Sequence, residues 1–118
     1  MNKFSFSKRS LNNLAGVNED LVKVVHRALE LSEIDFTVIE GVRTKERQVE
    51  LVNQGKSKTM NSRHLNGGAV DLWDGRSWDK AAFKPIIEAM EEAGRRLGVN
   101  LTGGYTWGWD YPHWQIEK

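Results

Sequence analysis

Cysteine is absent from the 118-residue chain, so neither a disulfide nor a thiolate metal cluster can form. Any metal site must be built from histidine and carboxylate, a donor set that suits an open site better than a closed structural one. A charge excess is also missing. Lys and Arg number 17 against 16 Asp and Glu, for a net charge of +1. Binding to nucleic acid phosphates needs a concentration of cations, so no nucleic-acid partner is expected. No apolar run approaches the ~20 residues of a membrane span, and "MNKFSFSKRSLNN" lacks the apolar core of a signal peptide. The expectation is therefore no stable membrane association, and a protein kept in the cytoplasm until something releases it. Prolines number two, and there are no repeats or low-complexity tracts. One domain over 1–118 is expected, with no linker or second module, and a monomer. With 39% hydrophobic and 28% charged residues, the composition is that of an ordinary globular protein.

Apolar spacing then gives the elements. Asn18 can cap a helix through "EDLVKVVHRALELS", in which Leu21, Val24, Val25, Ala28 and Leu29 share one face. "DFTVIEGV" (35–42) is short and β-branched and reads as a strand. "TKERQVELVNQG" (44–55) reads as a helix between a Thr44 cap and a Gly55 stop. Residues 56–66 are polar and loop-like, and "GAVDLW" (68–73) is a strand. A third helix spans Asp79 to Leu97, with Phe83, Ile86, Ile87, Met90, Ala93 and Leu97 as its buried stripe and Pro85 in its first turn or at a kink. Short strands over 99–104 and 113–118 flank an aromatic turn. The sum is an α+β fold, a small antiparallel sheet with about three helices packed on it.

What the chain does have is two of its three histidines set beside aspartates. Asp71 lies mid-strand between Val70 and Leu72, where a carboxylate is costly unless something charged meets it. His64 stands in the glycine-rich loop feeding that strand, and His113 opens the last strand after Pro112. If those two strands are neighbours, His64, Asp71 and His113 can converge and leave a fourth position open, the pattern of a catalytic zinc. Asp110, three residues before His113, suits a group that takes a proton from the attacking water. Plainer readings stand beside these. Asp71 can be a salt-bridge partner of Arg43 or Arg63, Asp110 a turn residue, and Trp107, Trp109 and Trp114 core packing. His26 lies off the apolar face of its helix and reads as solvent-facing.

"SRHLNGGAVDLW" and "WDYPHWQ", preceded by "EGVRTKERQ", resemble in order the motifs of the zinc peptidases that cut peptidoglycan peptides. That family holds D-alanyl-D-alanine carboxypeptidases and L-alanyl-D-glutamate endopeptidases, related in fold to the hedgehog signalling domain. The resemblance covers nearly the whole chain and is closer to the endopeptidase branch, where short chains are often phage endolysins. It implies one Zn²⁺ per chain held by His64, Asp71 and His113, with Asp110 as general base and then acid. It implies Arg43 in the cleft, holding a substrate carboxylate or the developing oxyanion, and Ser62 and Trp109 as supporting or substrate-contacting groups. The implied partner is the peptidoglycan stem peptide, cut between L-Ala and D-Glu. The implied setting is host cytoplasm until release to the periplasm and cell wall, with no wall-binding module. The alternatives are a D-alanyl-D-alanine carboxypeptidase on the same scaffold, and a non-catalytic zinc- or wall-binding module.

Overall fold

The computed structural model describes residues 4–56 and 63–117. Among these residues, four helices pack with a four-stranded, wholly antiparallel sheet. The helices are α1 (Lys8–Leu14), α2 (Glu19–Leu31), α3 (Lys45–Asn53) and α4 (Lys84–Leu97). The strands are β1 (Thr37–Glu40), β2 (Ala69–Trp73), β3 (Leu101–Gly103) and β4 (His113–Ile116), in the order β1-β2-β4-β3. Among the described residues no helix is long and apolar enough to cross a membrane.

Side-chain caps set the helix starts. The Asn18 side chain accepts from the backbone N–H of Asp20 and Leu21, and Thr44 accepts from that of Arg47. The expected apolar face of α2 is buried as read, from Leu21 to Leu29. It packs on α4, whose Ile86, Ala89, Met90 and Ala93 are buried. Both helices meet one sheet face, to which β-strand alternation turns Val38, Val70, Leu72 and Trp114.

Three expectations need correction. The helix expected over 79–97 is two pieces. Lys80–Phe83 is a 3₁₀ turn, and α4 starts only at Lys84. Pro85 lacks an N–H and its ring clashes with the carbonyl four residues back, so the α-helical ladder cannot extend through it. Leu97 is not in the buried stripe but 44% exposed, because the chain ends its helix beside it at Gly98 in the left-handed region (φ 68°). The short helix α1 was not foreseen. Only Ser10 and Leu14 of it are buried, so it carries no apolar stripe to read.

The registers position the site. Across β2 and β4, Asp71 lies opposite His113, Val70 opposite Trp114 and Ala69 opposite Gln115. Across β1 and β2, Val38 faces Leu72, but Glu40 faces Asp71. One extra residue thus bulges β1 between Val38 and Glu40. Simple alternation would put Glu40 on the core side with Val38; the bulge turns it to the other face. Glu40, Asp71 and His113 therefore form a row across three strands on the face away from the core.

Candidate metal centre

Each histidine is fixed by what its outer ring nitrogen meets. His64 lies in a 3₁₀ turn, Arg63–Asn66, whose His64 carbonyl accepts from Arg43 N–H at 2.8 Å. Its Nδ1 is 2.9 Å from the Gly41 carbonyl oxygen. A carbonyl only accepts, so Nδ1 carries the proton and Nε2 turns its lone pair inward. Gly41 has to be glycine, since a Cβ there would lie 1.8 Å from the Asn13 carbonyl oxygen. His113 is fixed at the opposite nitrogen. Its Nε2 is 2.9 Å from Gln115 Oε1, which leaves Nδ1 bare and facing inward.

The inward atoms converge. His64 Nε2 is 3.2 Å from His113 Nδ1, and Asp71 Oδ1 is 3.3 Å from the first and 3.6 Å from the second. A tetrahedral ion with bonds of ~2.0–2.1 Å has ligand-to-ligand edges of roughly 3.3–3.4 Å, so the donor atoms already span one face of such a tetrahedron. Asp71 Oδ1 is buried and accepts no hydrogen bond. Two lone pairs and a carboxylate oxygen facing one point repel unless a cation joins them. His64, Asp71 and His113 fit a metal on these grounds, with the fourth corner open.

The surrounding electrostatics support an ionised Asp71. Burial by itself would raise its carboxyl, but the adjoining His113 and His64 rings outweigh this and hold it below the usual carboxylate range. Burial pulls His113 down, yet Asp71, Gln115 and the charge of Asp110 raise it on balance. The Asp110 carboxylate comes within 3.9 Å of His113 Nδ1. Burial first, and then the charge of Asp71, push it above the ordinary aspartate range. A half-buried carboxylate with raised basicity beside the open corner is suited to accept a proton. Its turn is seated on Gly104, where a Cβ would fall 2.0 Å from the Asp110 carbonyl oxygen.

Arg43 sits differently from the expected cleft residue. It is only 8% exposed. Its guanidinium forks onto both carboxylate oxygens of Glu40 at 2.9 and 2.7 Å and donates to Gln48 Oε1 at 2.7 Å. One of its nitrogens lies 3.6 Å from Asp71 Oδ2. The bulged Glu40 thus steers Arg43 against the far oxygen of Asp71. Glu40, Gln48 and Gln115 were missed in the sequence. The i, i+2 spacing of Gln115 after His113 was the one available signal, since it puts both on one strand face.

The tryptophans divide. Trp114 is core, while Trp107 and Trp109 are 44% and 49% exposed beside the centre. The Trp107 ring lies 5.1 Å from that of His113 and 6.3 Å from that of Trp109. His26 is exposed, its ring edge against Phe6. Ser62 lies outside the described residues.

Comparison with known proteins points the same way. The model of the family "phage L-alanyl-D-glutamate peptidase" matches residues 2–116. The chain is similar to the L-alanyl-D-glutamate peptidase of Escherichia phage T5, with 38% identity over 88% of this chain and 82% of that one. It is also similar to the L-alanyl-D-glutamate peptidase of Listeria phage A118, with 31% identity over 95% of this chain but only 42% of that longer protein. Among solved structures it is similar to the Serratia marcescens L-Ala D-Glu endopeptidase ChiX. The TM-score is 0.88 and the identity 38%, covering 98% of this chain and 92% of the other.

Proposed function

The chain belongs to the phage L-alanyl-D-glutamate peptidase family, and from that membership we propose how its residues do the work. It is a peptidase of the endolysin type, cutting peptidoglycan stem peptides between L-alanine and D-glutamate. The observation that carries the mechanism is the convergence of His64 Nε2, Asp71 Oδ1 and His113 Nδ1 within 3.2–3.6 Å.

These three residues would hold one Zn²⁺. The chemistry such an ion supplies is Lewis acidity, which polarises the scissile carbonyl and lowers the pKa of a water towards ~7. Asp110 takes the proton of the attacking water on its carboxylate and returns it to the D-Glu nitrogen as the bond to L-Ala breaks. Arg43, committed to Glu40 and Gln48, acts behind Asp71 and holds that carboxylate in its binding orientation. Ser62 and Trp109 support the site or contact substrate. The chain acts as a monomer that waits in the host cytoplasm and reaches its substrate once the membrane is breached.

Metal analysis tests the site. About one zinc per purified chain is expected, lost in His64→Ala, Asp71→Ala and His113→Ala and kept in His26→Ala. Stoichiometric zinc in all three of the first set would sink the assignment.

A further inference from the structure

We propose that Gln115, braced by Glu117 and Arg63, is a positioning residue that selects the metal-binding tautomer of His113. The proposal rests on reading His64, Asp71 and His113 as a metal site. A neutral imidazole carries one proton, and whichever nitrogen holds it cannot bind a metal. His113 turns Nδ1 inward, so its proton must stay on Nε2, which requires an acceptor there. Gln115 Oε1 fills that place at 2.9 Å.

An amide has two ends. Turned over, Gln115 would present its NH₂ to Nε2, draw out the lone pair and drive the proton to Nδ1. The opposite end of the amide is held against this. Gln115 Nε2 donates to Glu117 Oε1 at 2.6 Å. Glu117 Oε2 in turn lies 3.7 Å from a guanidinium nitrogen of Arg63, and Arg63 donates to the Ile116 carbonyl at 3.0 Å. His113 and Gln115 share a face of β4 by their i, i+2 spacing, and Glu117 follows at the same interval. The chain of contacts thus starts on one histidine and ends on Arg63, the residue before the other.

His64 needs no such brace. Its outer nitrogen meets the backbone carbonyl of Gly41, which has no second end to present. The tautomer of His113 alone depends on a side chain, and that makes Gln115 the point at which the donor set can be disturbed without touching a donor. The Arg63–Glu117 pair is largely exposed, so its contribution is to orientation rather than to stability.

The test measures zinc affinity by chelator competition, together with the ¹⁵N shifts of the His113 ring in the zinc-loaded protein. Gln115→Leu is expected to weaken zinc binding by roughly 10–100-fold, the usual cost of removing a partner that orients a ligand. Gln115→Glu combined with Glu117→Gln keeps an acceptor at His113 Nε2 and a donor facing it, and is expected to stay close to wild type, with Nε2 protonated. Glu117→Ala frees the amide to turn and is expected to lose affinity, less severely. Melting of the metal-free forms checks that each variant folds; if Gln115→Leu does not, Glu117→Ala decides. Wild-type affinity in Gln115→Leu, or an equal loss in Gln115→Leu and in the paired Gln115→Glu, Glu117→Gln variant, would overturn the brace while leaving the metal site standing. A wild-type chain that takes up no zinc would overturn the site itself, and the proposal with it.

Discussion

Asp110 and His113 stand three residues apart, yet the structure gives them different surroundings. His113 is 6% exposed and hydrogen-bonded through its outer nitrogen, whereas Asp110 is half-buried with a carboxylate oxygen 3.9 Å from His113 Nδ1. The proposed mechanism uses the first as a fixed ligand and the second as the group that exchanges a proton. Asp110→Asn should therefore keep the fold and the metal but lower kcat by roughly 10²–10⁴, the worth of a positioned acid–base group. Metal content and turnover measured on the same preparation check this, and near-full turnover would assign the proton transfer elsewhere. The three residues that converge, His64, Asp71 and His113, were legible in the sequence because their types are few and their neighbours unusual. A carboxylate between Val70 and Leu72 asks for a partner, and only three histidines exist to supply it. Arg43 stood out in the sequence, but its orientation did not. That orientation depends on Glu40, and Glu40 reaches the site only through a bulge that alternation does not reveal.

At the scale of elements, the unforeseen helix α1 has a definite task. β1 is an edge strand, and its Val38 would leave a backbone N–H and C=O unpaired. Ser10 Oγ accepts from the Val38 N–H at 3.1 Å, and Asn13 Nδ2 donates to the Val38 carbonyl at 2.8 Å. Ser10 also meets Thr37 Oγ1 at 2.6 Å. Two polar side chains of a short helix thus close the sheet edge. This escaped the sequence because helix periodicity reports apolar faces, and the useful face of α1 is polar. Ser10→Ala should lower stability by about 1–3 kcal/mol, the cost of orphaning a buried donor. Denaturant unfolding measures it, and zinc content should not change. A variant as stable as wild type would show that the edge is satisfied otherwise. The caps at Asn18 and Thr44 were legible for the opposite reason, since they act within four residues of themselves. The split at Pro85 follows from one ring and one missing N–H.

For the whole molecule, the strand order β1-β2-β4-β3 is what makes a site possible. It places β4 next to β2, although 49 residues separate His64 from His113. Such pairing is non-local, and nothing in either strand announces its neighbour. The α+β class could be read from the sequence; the strand order could not. A metal held by His64, Asp71 and His113, as proposed, would tie the loop, β2 and β4 together. Binding to the folded state alone at about a thousandfold above the dissociation constant adds about 4 kcal/mol, on the order of 10–20 °C in Tm for a chain of this size. Thermal unfolding with and without chelator should show that gap, and coincident transitions would contradict the link between metal and fold.

The most direct test of the central claim is mass spectrometry of purified muropeptides after digestion, with and without chelator. The account predicts cleavage between L-Ala and D-Glu in tetrapeptide stems, abolished by chelator and restored by zinc. Release of free D-Ala from pentapeptide stems, with the L-Ala–D-Glu bond left whole, would contradict it.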